Sequence, residues 1–118
     1  MKEIKLIKKT DREVRKISNT YTVFNMLTGE SSKNVSVAVG EAKNHIEETK
    51  NKTSDRVYYV LEGSLKVKSG NKSFVANLGD VIFIPANTTY KFEGTFKVVL
   101  INSPPFNSKN EEIKKLIK

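Results

Sequence analysis

His45 is the only histidine in the chain, and Glu47 follows it two residues later. A His-x-Glu step can serve as a displaced pair of metal ligands. One imidazole with neighbouring carboxylates, no second histidine and no cysteine makes a poor transition-metal site in a chain of net charge +8. His45 therefore reads first as a surface or loop histidine, and second as a general base that would titrate near neutrality, although spacing assigns it neither nucleophile nor orienting partner. The arginines are only Arg12, Arg15 and Arg56. Arg56 opens the run Arg56, Val57, Tyr58, Tyr59, Val60, in which period-two alternation puts Arg56, Tyr58 and Val60 on one side. A guanidinium fork beside a phenol suits a ligand bearing carboxylate, phosphate or several hydroxyls. The competing reading is that Arg56 pairs with Asp55, Glu62 or another carboxylate and that the tyrosines fill the interior. Asp80, directly after Gly79 at a turn, reads as a structural hydrogen-bond acceptor and not as a catalytic acid.

These residues need strands to hold them. Runs rich in β-branched and aromatic residues, bounded by Gly, Asn, Ser and Pro, recur at 21–27, 35–39, 57–68, 73–76, 81–84, 90–92 and 95–102. Residues 3–8 alternate with Ile4 and Leu6 on one face and predict a short first strand, at an edge or given to a partner subunit. The assignment of 10–18 stays open. Over 40–54 the pattern dissolves into charged and small polar residues, so this stretch is either a long loop or a polar strand with one face on a wet cavity. Glu62-Gly63 marks a bulge or sharp bend within 57–68. Eight to ten short strands at roughly ten-residue spacing are the signature of an all-β sandwich or barrel. Ser103-Pro104-Pro105 ends the sheet. Beyond it, Ile113, Leu116 and Ile117 form a helical stripe, with Glu111 and Glu112 ahead of the lysines, a charge order that suits a helix dipole. A short C-terminal helix is expected over 110–117.

A chain of 118 residues supports one core, so 1–118 is expected to form one domain. The positive charge is mostly lysine and is scattered along the chain instead of gathered in blocks. Scattered lysines solvate a surface and do not grip a polyanion, so no nucleic-acid partner is expected. No long apolar run opens the chain or spans a membrane, and the expectation is a cytoplasmic protein without a membrane partner.

Two runs carry a resemblance. Val57, Tyr58, Tyr59, Val60, Leu61, Glu62, Gly63 and then Gly79, Asp80, Val81, Ile82, Phe83, Ile84, Pro85 resemble, in this order and separation, the two motifs of the cupin superfamily. The resemblance covers about 35–106, and implies an all-β, cupin-type jelly-roll β-barrel, here with the short C-terminal helix added. It also implies positions for metal ligands, and this sequence departs from the pattern at each. Counting back from Gly63, the family's glutamate falls on Arg56. Its His-x-His pair falls on Lys50 and Lys52, or on Thr49 and Asn51 with a one-residue longer gap. The third histidine, counted from Pro85, falls on Tyr90, and a glycine two after the proline is Asn87. An ammonium or guanidinium in place of a carboxylate or imidazole repels a divalent cation. The chain thus resembles cupins without the metal, such as those of ethanolamine utilisation, and no cofactor is expected.

If the family's inward direction is kept, the resemblance implies that Arg56 and Tyr90 point into the barrel, with Tyr58 beside Arg56 and Phe92 on the side of Tyr90. Lys50 and Lys52 either join them at the mouth or are solvated loop lysines. The expected function is metal-independent binding of a small polar or anionic molecule, such as a sugar derivative, a phosphate or a carboxylate. An enzyme of the sugar isomerase, epimerase or lyase kind, using Tyr90, Tyr58 or His45 for proton transfer, is the alternative. An oligomeric scaffold with a filled barrel is the third reading. Near-continuous apolar runs at 57–61, 81–84 and 98–101 would leave apolar side chains on the outer face, so a homodimer is expected in each case.

Overall fold

The structure is a computed structural model that describes residues 3–117. Among the described residues there are eight strands: β1 (Glu13–Ser18), β2 (Tyr21–Leu27), β3 (Ser36–Asn51), β4 (Asp55–Ser69), β5 (Lys72–Asn77), β6 (Val81–Ile84), β7 (Thr88–Ser103) and β8 (Glu111–Leu116). All pair antiparallel. The hydrogen-bonded path runs β1, β2, β3, β7, β4, β5, with β6 against β4 and β8 against β3. Three long strands, β3, β4 and β7, form the spine. The all-β expectation therefore holds, and the strands expected at 21–27 and 81–84 stand at those bounds.

The expected C-terminal helix is absent: residues 111–116 form β8, and the only helical pieces among the described residues are single 3-10 turns at Lys9–Asp11 and Ser108–Asn110. The reason lies in β3. One edge of this strand is taken by β7 along its length, but β2 covers the other edge only from Val37 to Ala42. The far half, Glu47 to Asn51, would be left with open N–H and C=O groups, and β8 pairs there, with Asn51 opposite Glu111 and Glu47 opposite Leu116. Satisfying that edge outweighs a helical preference worth only tenths of a kcal/mol per residue, on the order of 0.5. The first strand expected at 3–8 is also absent; Ile4 and Leu6 are exposed there, and the first strand begins at Glu13.

The open stretch 40–54 resolves as the second half of β3, and its register explains which side chains face inward. Ala42 pairs with Phe96 and His45 with Gly94, so three steps on β3 match two on β7. The extra residue is a β-bulge. Asn44 adopts φ 50°, in the left-handed region that Asn tolerates better than most residues, and its backbone N donates to Thr95 Oγ1 at 3.0 Å. Before the bulge the inward residues are Gly40 and Ala42. After it they are His45, Glu47, Thr49 and Asn51. A strict period of two continued from Ala42 would have turned the even-numbered residues inward, Lys50 and Lys52 among them.

The glycine of the Glu62-Gly63 step has φ +73°, and a Cβ there would stand 2.1 Å from the Thr95 carbonyl oxygen. Glycine is thus required where β4 bulges against β7 between Val60 and Glu62. At the position where a glycine would be expected two residues after Pro85, Asn87 takes φ 63°. The core is aromatic. Phe92 lies within 5.4–6.3 Å, centroid to centroid, of Tyr21, His45, Tyr58, Tyr90 and Phe96. Val60, Leu65, Val67, Val98 and Leu100 complete it. Tilted and edge-on ring pairs of this kind add about 0.5–1.5 kcal/mol each beyond simple burial.

Candidate functional site

Arg56 on β4, Tyr90 on β7 and Glu111 on β8 meet inside the barrel. Arg56 is buried. Its Nη2 donates to Glu111 Oε1 at 2.6 Å and its Nη1 to Oε2 at 3.3 Å, a two-pronged ion pair. Nε donates to Asn102 Oδ1 at 2.8 Å, and Nη1 also donates to the Tyr90 hydroxyl at 2.9 Å. Glu111 is held from its other side by Thr49 Oγ1 at 2.5 Å and Asn51 Nδ2 at 3.0 Å. Burial works against the Glu111 charge, yet the Arg56 guanidinium and the hydrogen bonds from Arg56, Thr49 and Asn51 outweigh it and hold the carboxyl below its ordinary value. Burial likewise opposes the Arg56 charge, and Tyr90, Tyr58 and Glu111 more than reverse this, raising its pKa further above neutrality. The pair is therefore ionised at physiological pH.

Arg56, Tyr90 and, on the longer-gap count, Thr49 and Asn51 are the positions onto which the family resemblance maps metal ligands, and all four converge on this ion pair. The donor set does not fit a divalent cation. A guanidinium occupies the place that the resemblance gives to a carboxylate, and the carboxylate that reaches it, Glu111, has its oxygens filled by four N–H and O–H donors. No cluster of three or more His, Asp or Glu side chains with metal-binding geometry occurs among the described residues.

Beside the ion pair, the Tyr58 and Tyr90 hydroxyls lie 2.6 Å apart. Burial raises the pKa of both phenols, so both stay protonated. Two phenols sharing one hydrogen bond leave one O–H to offer. His45 is fully buried, which corrects the surface or loop reading. The bulge at Asn44 turns it inward, where its ring stacks on Tyr21 at 4.7 Å. Nε2 lies 2.9 Å from Glu47 Oε1 and Nδ1 lies 2.8 Å from Thr20 Oγ1. Nε2 thus faces a carboxylate oxygen, and Nδ1 faces a hydroxyl that can donate or accept.

A cavity of about 600 Å³ opens above this network. Arg15, Val23, Arg56, Leu100 and Phe106 line both this cavity and a narrower throat of about 40 Å³. Tyr21, Glu47, Tyr58, Phe92 and Glu111 line the throat. Of the residues singled out from sequence, Arg56, Tyr58 and Phe92 face this space, while Tyr90 sits behind Tyr58 and His45 behind Glu47. Lys50 stands on the opposite side of β3 from Thr49 and Asn51, and Lys52 is ion-paired with Glu112 at 2.8 Å and half-exposed. Neither lysine joins the cluster, because the bulge reverses the inward parity. Asp80 accepts from the Asn77 backbone N at 2.8 Å, within its turn. Sequence reasoning missed Glu111, Arg15 and Glu47's place in the throat. Glu111 was hidden by the helical pattern around it; Glu47's only signal was the His-x-Glu spacing.

A protein-family profile described as ethanolamine utilisation protein EutQ matches residues 2–104. Uncharacterized protein MJ1618 of Methanocaldococcus jannaschii is 34% identical over 68 residues, 54% of this chain and 54% of that protein, so the match spans about half the relative's length. Among solved structures, the putative ethanolamine utilization protein EutQ of Salmonella typhimurium aligns with TM-score 0.64 at 26% identity, over 74% of this chain and 71% of that one. The likeness to Streptomyces PAC13 with uridine is greater in shape, with TM-score 0.84 at 23% identity over 100% of this chain and 95% of that one. Pac13 is described as a nucleoside dehydratase. These likenesses bear out the cupin-type fold.

Proposed function

The chain belongs to the family of ethanolamine utilisation protein EutQ, and from that premise we propose that it is a metal-independent cupin that holds a small polar or anionic molecule in its barrel. The observation that carries this reading is a cavity of about 600 Å³ ending in a throat where the Tyr58–Tyr90 pair has one O–H to spare. Its size suits a sugar or nucleoside, and a few convergent polar groups over an aromatic floor are how such sites fix orientation. Thermal shift against uridine, sugars, sugar phosphates and small carboxylates tests it, because a ligand that favours the native state raises its melting temperature. Ala38→Phe, which puts a ring into the cavity, is expected to remove the shift. A shift that survives the filled cavity would locate the ligand elsewhere.

A second reading, a lyase-type enzyme, is favoured by one observation. Solved structures of Streptomyces PAC13 with uridine carry, in separate variants, a tyrosine replaced by phenylalanine at either of two sites and a histidine replaced by glutamine. The same residue types stand here as Tyr58, Tyr90 and His45. Loss of water from a bound alcohol needs a base to take a proton from carbon and an acid to protonate the departing hydroxyl, with a C=C bond formed between them. Glu47, backed by His45, and the Tyr58–Tyr90 pair supply such groups in one throat. Turnover of a nucleoside or related sugar that Tyr90→Phe abolishes and Lys50→Ala leaves intact would support the enzyme.

The proposal includes a homodimer. Phe74 and Val75 on β5 with Val81 and Phe83 on β6 are more than half exposed and line a common surface groove. β5 ends the strand path, so a second copy of the same patch is the self-complementary occupant a two-fold axis would supply.

A further inference from the structure

We propose that Arg15 is the anion anchor of the cavity, taking the carboxylate or phosphate of a ligand whose body lies between β1, β2 and the throat. This rests on the binding reading above and adds the charge of the ligand to it. Arg56, the arginine that spacing favours, is poorly placed for this work: hydrogen bonds to Glu111, Asn102 and Tyr90 use four of its five N–H donors, and Glu111 cancels its charge. Arg15 is the reverse case. It sits on β1 opposite Val23 and lines both the cavity and the throat. None of the ion pairs among the described residues involves it. Its Nε is buried without a hydrogen-bond partner among those residues.

A half-buried guanidinium left unpaired costs stability, since a desolvated donor without an acceptor forfeits what water gave it. The fold nevertheless positions it with care. The guanidinium carbon lies 4.4 Å from the centre of the Phe106 ring, and Phe106 is itself pinned by a 2.8 Å hydrogen bond from its backbone N to Ser36 Oγ. Stacking fixes the plane of the fork, and a planar oxyanion meeting that fork in two-pronged fashion supplies the partner the chain does not. Glu13 and Glu30 also line the cavity, but both are exposed, where water screens them. Glu47 and Glu111 line the throat with Arg15; Arg56 neutralises Glu111, and Glu47 is hydrogen-bonded to His45. This charge pattern favours an anionic group held at Arg15 on the cavity side of the throat, with the rest of the ligand neutral or bearing hydroxyls.

Two pairs of probes test this by calorimetry: uridine against uridine 5′-monophosphate, and glucose against glucuronate. Each pair differs by one anionic group, phosphate in the first and carboxylate in the second, so the preferred pair identifies the anion. In the wild type the charged member of at least one pair is expected to bind about tenfold or more tighter, as a charge-assisted hydrogen bond implies. Arg15→Gln is expected to erase that advantage while leaving the neutral member's affinity within about twofold and the melting temperature close to the wild-type value, since loss of the stacking on Phe106 is set against removal of a buried donor without a partner. An anionic advantage absent from both pairs, or surviving in Arg15→Gln, overturns the assignment. Neutral probes that bind saturably without any such advantage overturn this inference alone. No saturable binding by any of the four overturns the binding reading with it.

Discussion

Removing the Glu111 carboxylate would leave the Arg56 guanidinium buried beside two phenols with no counter-charge. Glu111→Gln is therefore expected to lower stability by about 3–5 kcal/mol, the usual cost of breaking a buried pair from one side, as read by urea denaturation. Replacing both partners by apolar residues, Arg56→Met with Glu111→Leu, is expected to cost less than the two single changes summed, because neither charge is then stranded. The same carboxyl gives a pH dependence whose sign follows from its lowered pKa. The stabilisation is complete above the unfolded value of 4.5 and is lost as pH falls through the lower folded value. The wild-type urea midpoint should accordingly drop as pH falls below about 5, and Glu111→Gln should flatten part of that drop; equal slopes in the two proteins would mean that another carboxyl governs the acid limb. Alternation alone was enough to group Arg56 with Tyr58. Nothing local to Arg56 could name its counter-ion, since Glu111 lies 55 residues away in the chain and reads in isolation as the first turn of a helix.

At the level of strands, one residue decides which side chains the cavity receives. The bulge at Asn44 turns His45, Glu47, Thr49 and Asn51 inward and puts Lys50 and Lys52 outside. Asn44→Val forces a β-branched residue to φ 50° and also removes the Thr95 Oγ1 to Asn44 Oδ1 contact at 3.3 Å. It is expected to cost about 1–2 kcal/mol, whereas Asn44→Gly, free of the backbone penalty, should stay within about 0.5 kcal/mol of wild type; chemical denaturation of both variants is the check. Strands whose residues alternate were legible from sequence because burial on one face imposes the pattern. The polar second half of β3 was not, since its inward residues are hydrogen-bonding groups and the bulge breaks the period at the one place where the pattern was already faint. β8 was illegible for a different reason. Its strand state comes from a gap on the edge of β3, which no window over 110–117 contains.

Across the whole molecule, apolar residues on the outer surface of β5 and β6 argue for self-association. Sedimentation velocity at micromolar concentration is expected to show a dimer, and Phe83→Asp to shift it to monomer; a wild type that sediments as monomer would remove the dimer from the proposal. No helix among the described residues is long and apolar enough to cross a membrane. The general architecture was readable because two glycine-bounded runs carry the turns and strands of a cupin barrel, while the interior chemistry emerged only when strands far apart in sequence met. One practical outcome follows from where the family likeness stops. It ends at residue 104, seven positions before Glu111, so a fragment trimmed to that boundary would keep every strand of the spine and still lose the plug that neutralises its interior.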